Sequence, residues 1–185
     1  QLKTAKAYAD GKIQRDLIPT AARSAELGWT VATIDEAPRP STTMEGLAGL
    51  KTPFRPAGRV TPGNSSGLND GAAVVLLMRE KDAIRRGLTP LARIASWATA
   101  GVDPKVMGTG PIPASKKALS KAGWNVNDLD LIEVNEAFAA QAISVNQEMG
   151  WNPENVNVNG GAIAIVEGMS IGVTPRDVEE NSSDH

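Results

Sequence analysis

The sequence predicts an α/β protein, and three observations carry that reading. Apolar residues make up 41% of 185, the share of a globular domain rather than of a disordered chain. In the second half, short apolar runs suited to strands alternate with segments whose apolar residues recur every three to four positions, as in helices. Glycine and proline stand at the junctions and limit each element.

The elements follow in order. Residues 2–16 read as a short helix, with Leu2, Ala5, Tyr8 and Ala9 on one face. Pro19, Pro38, Pro40, Pro53, Pro56 and Pro62 then punctuate an irregular stretch whose clearest extended piece is "WTVATI", residues 29–34. "GAAVVLLM", 71–78, reads as a buried strand, and "REKDAIRRG", 79–87, as a helix closed by glycine. "LARIASWATA", 91–100, alternates as a strand does. "PASKKALSKAG", 113–123, opens on proline and closes on glycine, as helices do. A turn over 124–128, a strand over 129–134 and a helix over 135–150 come next, followed by a strand over 156–159. Phe138, Ala142, Val145 and Met149 mark the buried face of that second helix. Both helices close on Gly-Trp-Asn, and both following strands run into asparagine. Such an alternation places strand ends on a common edge, where ligands of α/β sheets collect.

Charge and composition exclude several functions. With 19 Lys+Arg against 21 Asp+Glu, the net charge of −2 offers no basic surface for nucleic acid or anionic membrane. The longest apolar run, Ala72 to Met78, is far too short to span a bilayer. Residues 1–20 mix Lys, Asp and Arg, unlike a signal peptide, so a cytoplasmic, soluble protein is expected. There is no cysteine, which excludes disulfides, thiolate metal sites and a Cys nucleophile on this chain. The one histidine is His185, the last residue, and a terminal imidazole is a poor general base. No metal site is expected.

Three polar junctions remain as candidate sites. "TPGNSSGLNDG", 61–71, offers backbone N–H groups and short polar side chains to a ligand, or is a surface loop with turn chemistry. It is not a phosphate-binding P-loop, because no Gly-Lys-Ser/Thr follows. "EVNEAF", 133–138, reads either as a helix start, with Asn135 as N-cap and Glu136 against the helix dipole, or as an amide serving an oxyanion. "NGGAIA", 159–164, is a tight strand exit or a backbone surface that something approaches closely. Lys116-Lys117 and Arg85-Arg86 read as solvated helix faces.

Taken together and in this order, "VTPGNSSGLNDGAAVVLLM", "GTGPIPASKKAL", "VNEAFAAQA" and "NVNGGAIAI" resemble the thiolase family, the acetyl-CoA acetyltransferases and 3-ketoacyl-CoA thiolases. The similarity runs from about Lys3 to Ile165. It implies a partial thiolase-like fold, with α-β-α-β-α layers, comprising the end of the first half and the start of the second. The implied divisions are a coenzyme A loop region and linker over 1–66 and the last strand and helix of the N-terminal half over 67–90. The start of the C-terminal half would occupy 91–165, with a divergent, disordered tail over 166–185.

The resemblance also implies roles. Asn135 would hold the water that stabilises the thioester enolate oxygen, a catalytic oxyanion role. Ser66 would contact the pantetheine arm of coenzyme A, Met107, Ala137 and Phe138 would line its channel, and Leu68 would complete the apolar wall. Phe54 would pack near the same ligand, and Arg39 would sit beside its nucleotide end. A serine that often contacts coenzyme A in the family is Gly46 here. The paired glycines after Asn159 would face a thioester.

The expected activity is Claisen condensation or thiolysis of acyl-CoA, with acyl-CoA as substrate, no tightly bound cofactor, and a dimeric or tetrameric family assembly. The family's nucleophilic Cys, its Gly-His-Pro and its Cys-x-Gly are all absent from this sequence, which therefore resembles an internal piece that is inactive alone. The alternatives are a non-catalytic coenzyme A-binding or structural remnant, and a fragment whose exposed sheet edges prevent independent folding.

Overall fold

The computed structural model of the chain describes residues 1–26, 28–165 and 171–174. Its contacts divide into two units interleaved in sequence. The first comprises residues 1–71, 135–140 and 157–169; the second comprises 72–134, 141–156 and 170–185.

The first unit opens with α1 (Leu2–Ala9). This helix is shorter than its periodicity suggests, because Gly11 adopts φ +71° and the Lys12 N–H turns back to the Ala7 carbonyl. Only a 3₁₀ turn, Gln14–Asp16, follows within the range expected to be helical. An antiparallel pair comes next, β1 (Thr20–Ser24) with β2 (Gly28–Ala32), in the register Ala22 opposite Thr30. The expected extended piece at 29–34 is therefore present only over 29–32, exposed along β2. Then α2 (Met44–Ala48) starts where the Thr43 side chain accepts the Gly46 N–H. The buried groups of this unit are small: Ala7, Ala162, Ala164, Thr4 and Asn157.

The second unit holds a larger apolar core. Helix α3 (Glu80–Arg85) is closed by Gly87 at φ +66°. Helix α4 (Pro111–Ala122) starts two residues before the expected Pro113 and stops at Gly123, φ +72°. Strand β3 (Leu131–Val134) and helix α5 (Ala139–Met149) follow. Leu129, Ile132, Val134, Val145, Met149, Trp151 and Val156 pack together, with Ile112, Leu119, Trp124 and Val126 against them. Each fully buried aliphatic side chain of this kind contributes about 1.5–3 kcal/mol. The repeated Gly-Trp-Asn also has a structural counterpart. Gly123 and Gly150 both take positive φ, and Asn125 and Asn152 both cap 3₁₀ turns, Val126–Asp128 and Pro153–Asn155.

Several expected elements differ. Residues 72–78 form no strand, and Val74, Val75, Leu76 and Leu77 are exposed. A strand exists only with a hydrogen-bonded neighbour, and none of the described strands pairs with this run. Residues 91–100 likewise form no strand. They lie along α4 instead, with Ser96 Oγ donating to the Ala118 carbonyl and Lys121 Nζ to the Trp97 carbonyl. The Lys121 ammonium stands 5.2 Å from the Trp97 ring centre.

The expected strand at 156–159 is a single parallel bridge, Val156 to Ile132, because the chain turns at Asn157, φ +46°. Within the segment read as a disordered tail, β4 (Ile171–Thr174) pairs antiparallel with β3, Ile132 opposite Val173. His185 and the rest of that segment lie outside the described residues. Among the described residues no helix is long and apolar enough to cross a membrane.

Candidate functional site

Helix α5 begins at Ala139, so Asn135 is not its N-cap and Glu136 is not in its first turn. Both expectations fail for one reason: residues 137–139 use their backbone groups elsewhere. The Ser66 N–H donates to the Ala137 carbonyl at 3.1 Å, and the Ala139 N–H donates to the Asn64 carbonyl at 2.9 Å. Ser65 and Phe138 thereby form an antiparallel bridge. This is the first place where two of the polar junctions meet.

The 61–67 loop is shaped for that pairing by its own side chains. Asn64 Oδ1 accepts the Thr61 N–H at 2.8 Å, and Asn64 Nδ2 donates to the Arg59 carbonyl at 2.8 Å. Ser65 Oγ donates back to the Thr61 carbonyl. A Cβ on Gly63 would stand 2.5 Å from both Leu47 Cδ2 and Leu50 Cδ1, so a side chain there would collide with the residues in and after α2. Turn chemistry and pairing are compatible here, since these hydrogen bonds use the side chains of Asn64 and Ser65 and not that of Ser66.

The third junction joins through Glu136. Its Oε1 accepts from Asn157 Nδ2 at 3.3 Å and its Oε2 accepts the Ile163 N–H at 3.3 Å. The carboxylate fills the space beside Gly161, where a Cβ would stand 2.5 Å from Glu136 Oε2 and 2.7 Å from Asn157 Nδ2. Gly160, at φ +101°, faces α1: a Cβ there would overlap Thr4 Oγ1 and lie 3.0 Å from Thr4 Cβ. Gln1 Nε2 donates to the Ile163 carbonyl and Gln1 Oε1 accepts the Arg39 N–H. On their Cβ sides the paired glycines thus approach Thr4 and Glu136.

Of the expected site residues, Ser66, Asn135, Ala137 and Phe138 come together in the first unit, with Asn135 half-buried one residue before the Glu136 tie. Phe54 and Leu68 stand exposed in the same unit. The Arg39 Nη1 donates to the carbonyls of Glu36, Ala37 and Pro38, while none of these bonds uses Nε or Nη2. Gly46 lies in α2 with its N–H committed to Thr43. Met107 belongs to the second unit, on the 3₁₀ stretch Pro104–Thr109, and is 75% exposed. Sequence reading missed Glu136, Asn157, Thr4 and Gly161 as the groups that join the junctions. The available signal was Asn157, three residues before Gly160, a residue type that tolerates the left-handed turn it makes at φ +46°. Among the described residues no group of three or more His, Cys, Asp or Glu could hold a metal ion.

The family model for the thiolase N-terminal domain matches residues 1–81, and that for the thiolase C-terminal domain matches residues 88–176. The chain belongs to the thiolase family. Acetyl-CoA acetyltransferase of Paracoccus denitrificans is 61% identical to this thiolase chain over 165 residues, covering 89% of the chain and 42% of the relative. The enzyme of the same name from Shinella zoogloeoides is 56% identical over the same length and shares, and cytosolic acetyl-CoA acetyltransferase of Mus musculus is 49% identical over 167 residues, with the same shares covered. The crystal structure of Bacillus anthracis acetyl-CoA acetyltransferase superposes with a TM-score of 0.84 at 47% identity, covering 89% of this chain and 42% of that one. That of human mitochondrial 3-ketoacyl-CoA thiolase does so with a TM-score of 0.78 at 38% identity, over 88% and 41%. The thiolase chain therefore has part of the thiolase fold and spans about two fifths of the length of the relatives it matches.

Proposed function

We propose that this chain carries the coenzyme A loop and the oxyanion bend of an acetyl-CoA C-acetyltransferase, and that these 185 residues catalyse nothing alone. The observation that supports the reading is the gathering of the 61–67 loop, Asn135–Ala140 and the Gly160-Gly161 turn into one unit, cross-tied at Ala137, Ala139 and Glu136. The relatives' names supply the reaction class.

In such a reaction a thiolate takes the acyl group from one acyl-CoA, and a base removes an α-proton from the next. The resulting carbanion attacks the acyl thioester and expels the thiolate. Here Asn135 would hold a water against the enolate oxygen, where charge develops, a kind of contact worth about 2.7–4 kcal/mol in the transition state. Ser66, Ala137 and Phe138 would hold the pantetheine arm, with the exposed Phe54 and Leu68 closing on it. Arg39 would offer Nε and Nη2 to the phosphates at the nucleotide end. The thiol groups cannot come from this chain, which has no cysteine, and loss of nucleophile and base together removes the covalent route. Cytoplasmic location and assembly as a dimer or tetramer belong to the same proposal.

Calorimetry with coenzyme A and a thiolysis assay with acetoacetyl-CoA on the purified chain test it. Binding heat at millimolar ligand without turnover is the expected pair of results. Turnover above the blank contradicts the claim of inactivity, and no heat at millimolar coenzyme A removes the binding claim.

A further inference from the structure

We infer that Glu136 is a positioning residue, which locks the Gly160-Gly161 turn to the backbone bearing Asn135 through a carboxylate–amide pair with Asn157. Its catalytic consequence rests on the function proposed above; the lock itself does not.

Three observations carry the inference. Glu136 does not serve α5, which begins three residues later. Both its carboxylate oxygens accept from one short segment, Oε1 from the Asn157 amide and Oε2 from the Ile163 N–H. The turn between those two donors is built around the carboxylate, since any side chain on Gly161 would strike Glu136 and Asn157. Asn157 is itself 5% exposed and holds φ +46°, a conformation that Asn and Asp tolerate better than other side chains. A six-residue segment, Asn135–Ala140, is thereby fixed on both sides. The 61–67 loop holds its backbone at Ala137 and Ala139, and the 157–163 turn holds its side chain at Glu136. Asn135 adjoins that fixed point, so its amide inherits the precision of the lock, on which oriented dipoles depend.

The chemistry of the pair permits a reciprocal exchange. Asn157→Asp sets two carboxylates against each other in a space closed to water on the Asn157 side, without adding backbone strain. Adding Glu136→Gln restores a donor against an acceptor, now with the amide and the carboxylate interchanged. The amide oxygen introduced at position 136 can still accept the Ile163 N–H. Hydrogen exchange at the Ile163 amide reads the lock in the full chain, and calorimetry with coenzyme A reads its consequence.

Asn157→Asp is expected to speed Ile163 exchange about tenfold or more, and the double variant to return it to within about threefold of the parent. Should Asn157→Asp fail to fold, recovery of folding in the double variant supports the lock equally. The inference is overturned if Ile163 is unprotected in the parent, if Asn157→Asp leaves exchange unchanged, or if the double variant is as impaired as the single. Coenzyme A affinity should follow the same order of variants. If exchange follows that order and coenzyme A does not bind the parent, the lock stands and the proposed function fails.

Discussion

Gly160 and Thr4 meet where no larger residue could stand at position 160: a Cβ on Gly160, at φ +101°, would overlap the Thr4 hydroxyl. The contact joins α1 to the turn after Asn159, and three predictions about stability start from it and from the core of the second unit.

Gly160→Ala should cost more than its backbone conformation explains. Gly11 supplies the control, since it also has positive φ, +71°, but nothing within 4 Å of its Cβ position. Gly11→Ala carries only the left-handed penalty of about 1–2 kcal/mol. Gly160→Ala adds overlap with a buried side chain, about 1–3 kcal/mol more. Urea titration of both variants checks the difference, and equal losses would show that Thr4 does not restrict position 160.

Thr4→Val should stabilise the chain. Thr4 is fully buried and, among the described residues, its Oγ1 has no hydrogen-bond partner, so its hydroxyl is desolvated without compensation. An isosteric methyl removes that desolvation cost, a gain of about 1 kcal/mol. A rise in the urea midpoint with unchanged slope is the expected reading. A fall would mean that the hydroxyl has a partner, such as an ordered water.

Ile132→Ala should be among the most damaging single changes in the second unit. Ile132 is 2% exposed in β3 and packs within the Val134, Val145 and Met149 cluster. Removing its branched side chain leaves a cavity and costs about 2–5 kcal/mol. By contrast, breaking the exposed Lys116–Glu148 pair should change stability by less than about 1 kcal/mol. The same denaturation experiment separates the two.

What can be read from the sequence divides by how local its cause is. Helices α3, α4 and α5 are legible because their stops are single glycines at positions 87, 123 and 150, each with positive φ. The two Gly-Trp-Asn repeats are legible for the same reason, as capping is decided within three residues. The Asn135 bend reads wrongly as a helix cap because its true partners, Asn64 and Ser66, are distant in sequence and bond through backbone that any residue carries. The run at 72–78 reads wrongly as a strand because apolar, β-branched composition records a tendency to be buried but not the neighbour that would bury it. Ser66, Asn135, Ala137 and Phe138, named through motif resemblance, lie in one unit. Glu136 and Thr4 escape sequence reading because their role lies in what they exclude from Gly161 and Gly160.

The exposed run at 72–78 yields a prediction about solubility. Val74, Val75, Leu76 and Leu77 are each 70% exposed or more, and an apolar extended segment without a partner strand invites pairing with other chains. Val75→Lys with Leu77→Lys should slow aggregation, measured by light scattering on gentle warming, with little change in the urea midpoint. A large fall in that midpoint would show that these side chains are packed in solution.

The most direct test of the account is a covalent one, made possible because the chain has no cysteine to interfere. Ser65 and Phe138 face each other in a pair flanked by the Ser66–Ala137 and Ala139–Asn64 hydrogen bonds, a geometry with Cα atoms about 4.5 Å apart and within disulfide range. Ser65→Cys with Phe138→Cys should oxidise in dilute solution to a monomer with one internal disulfide, while Ser65→Cys with Phe54→Cys should not. If the first pair gives only free thiols or crosslinked dimers, the 61–67 loop and the Asn135 bend are not joined as described, and the site loses its foundation.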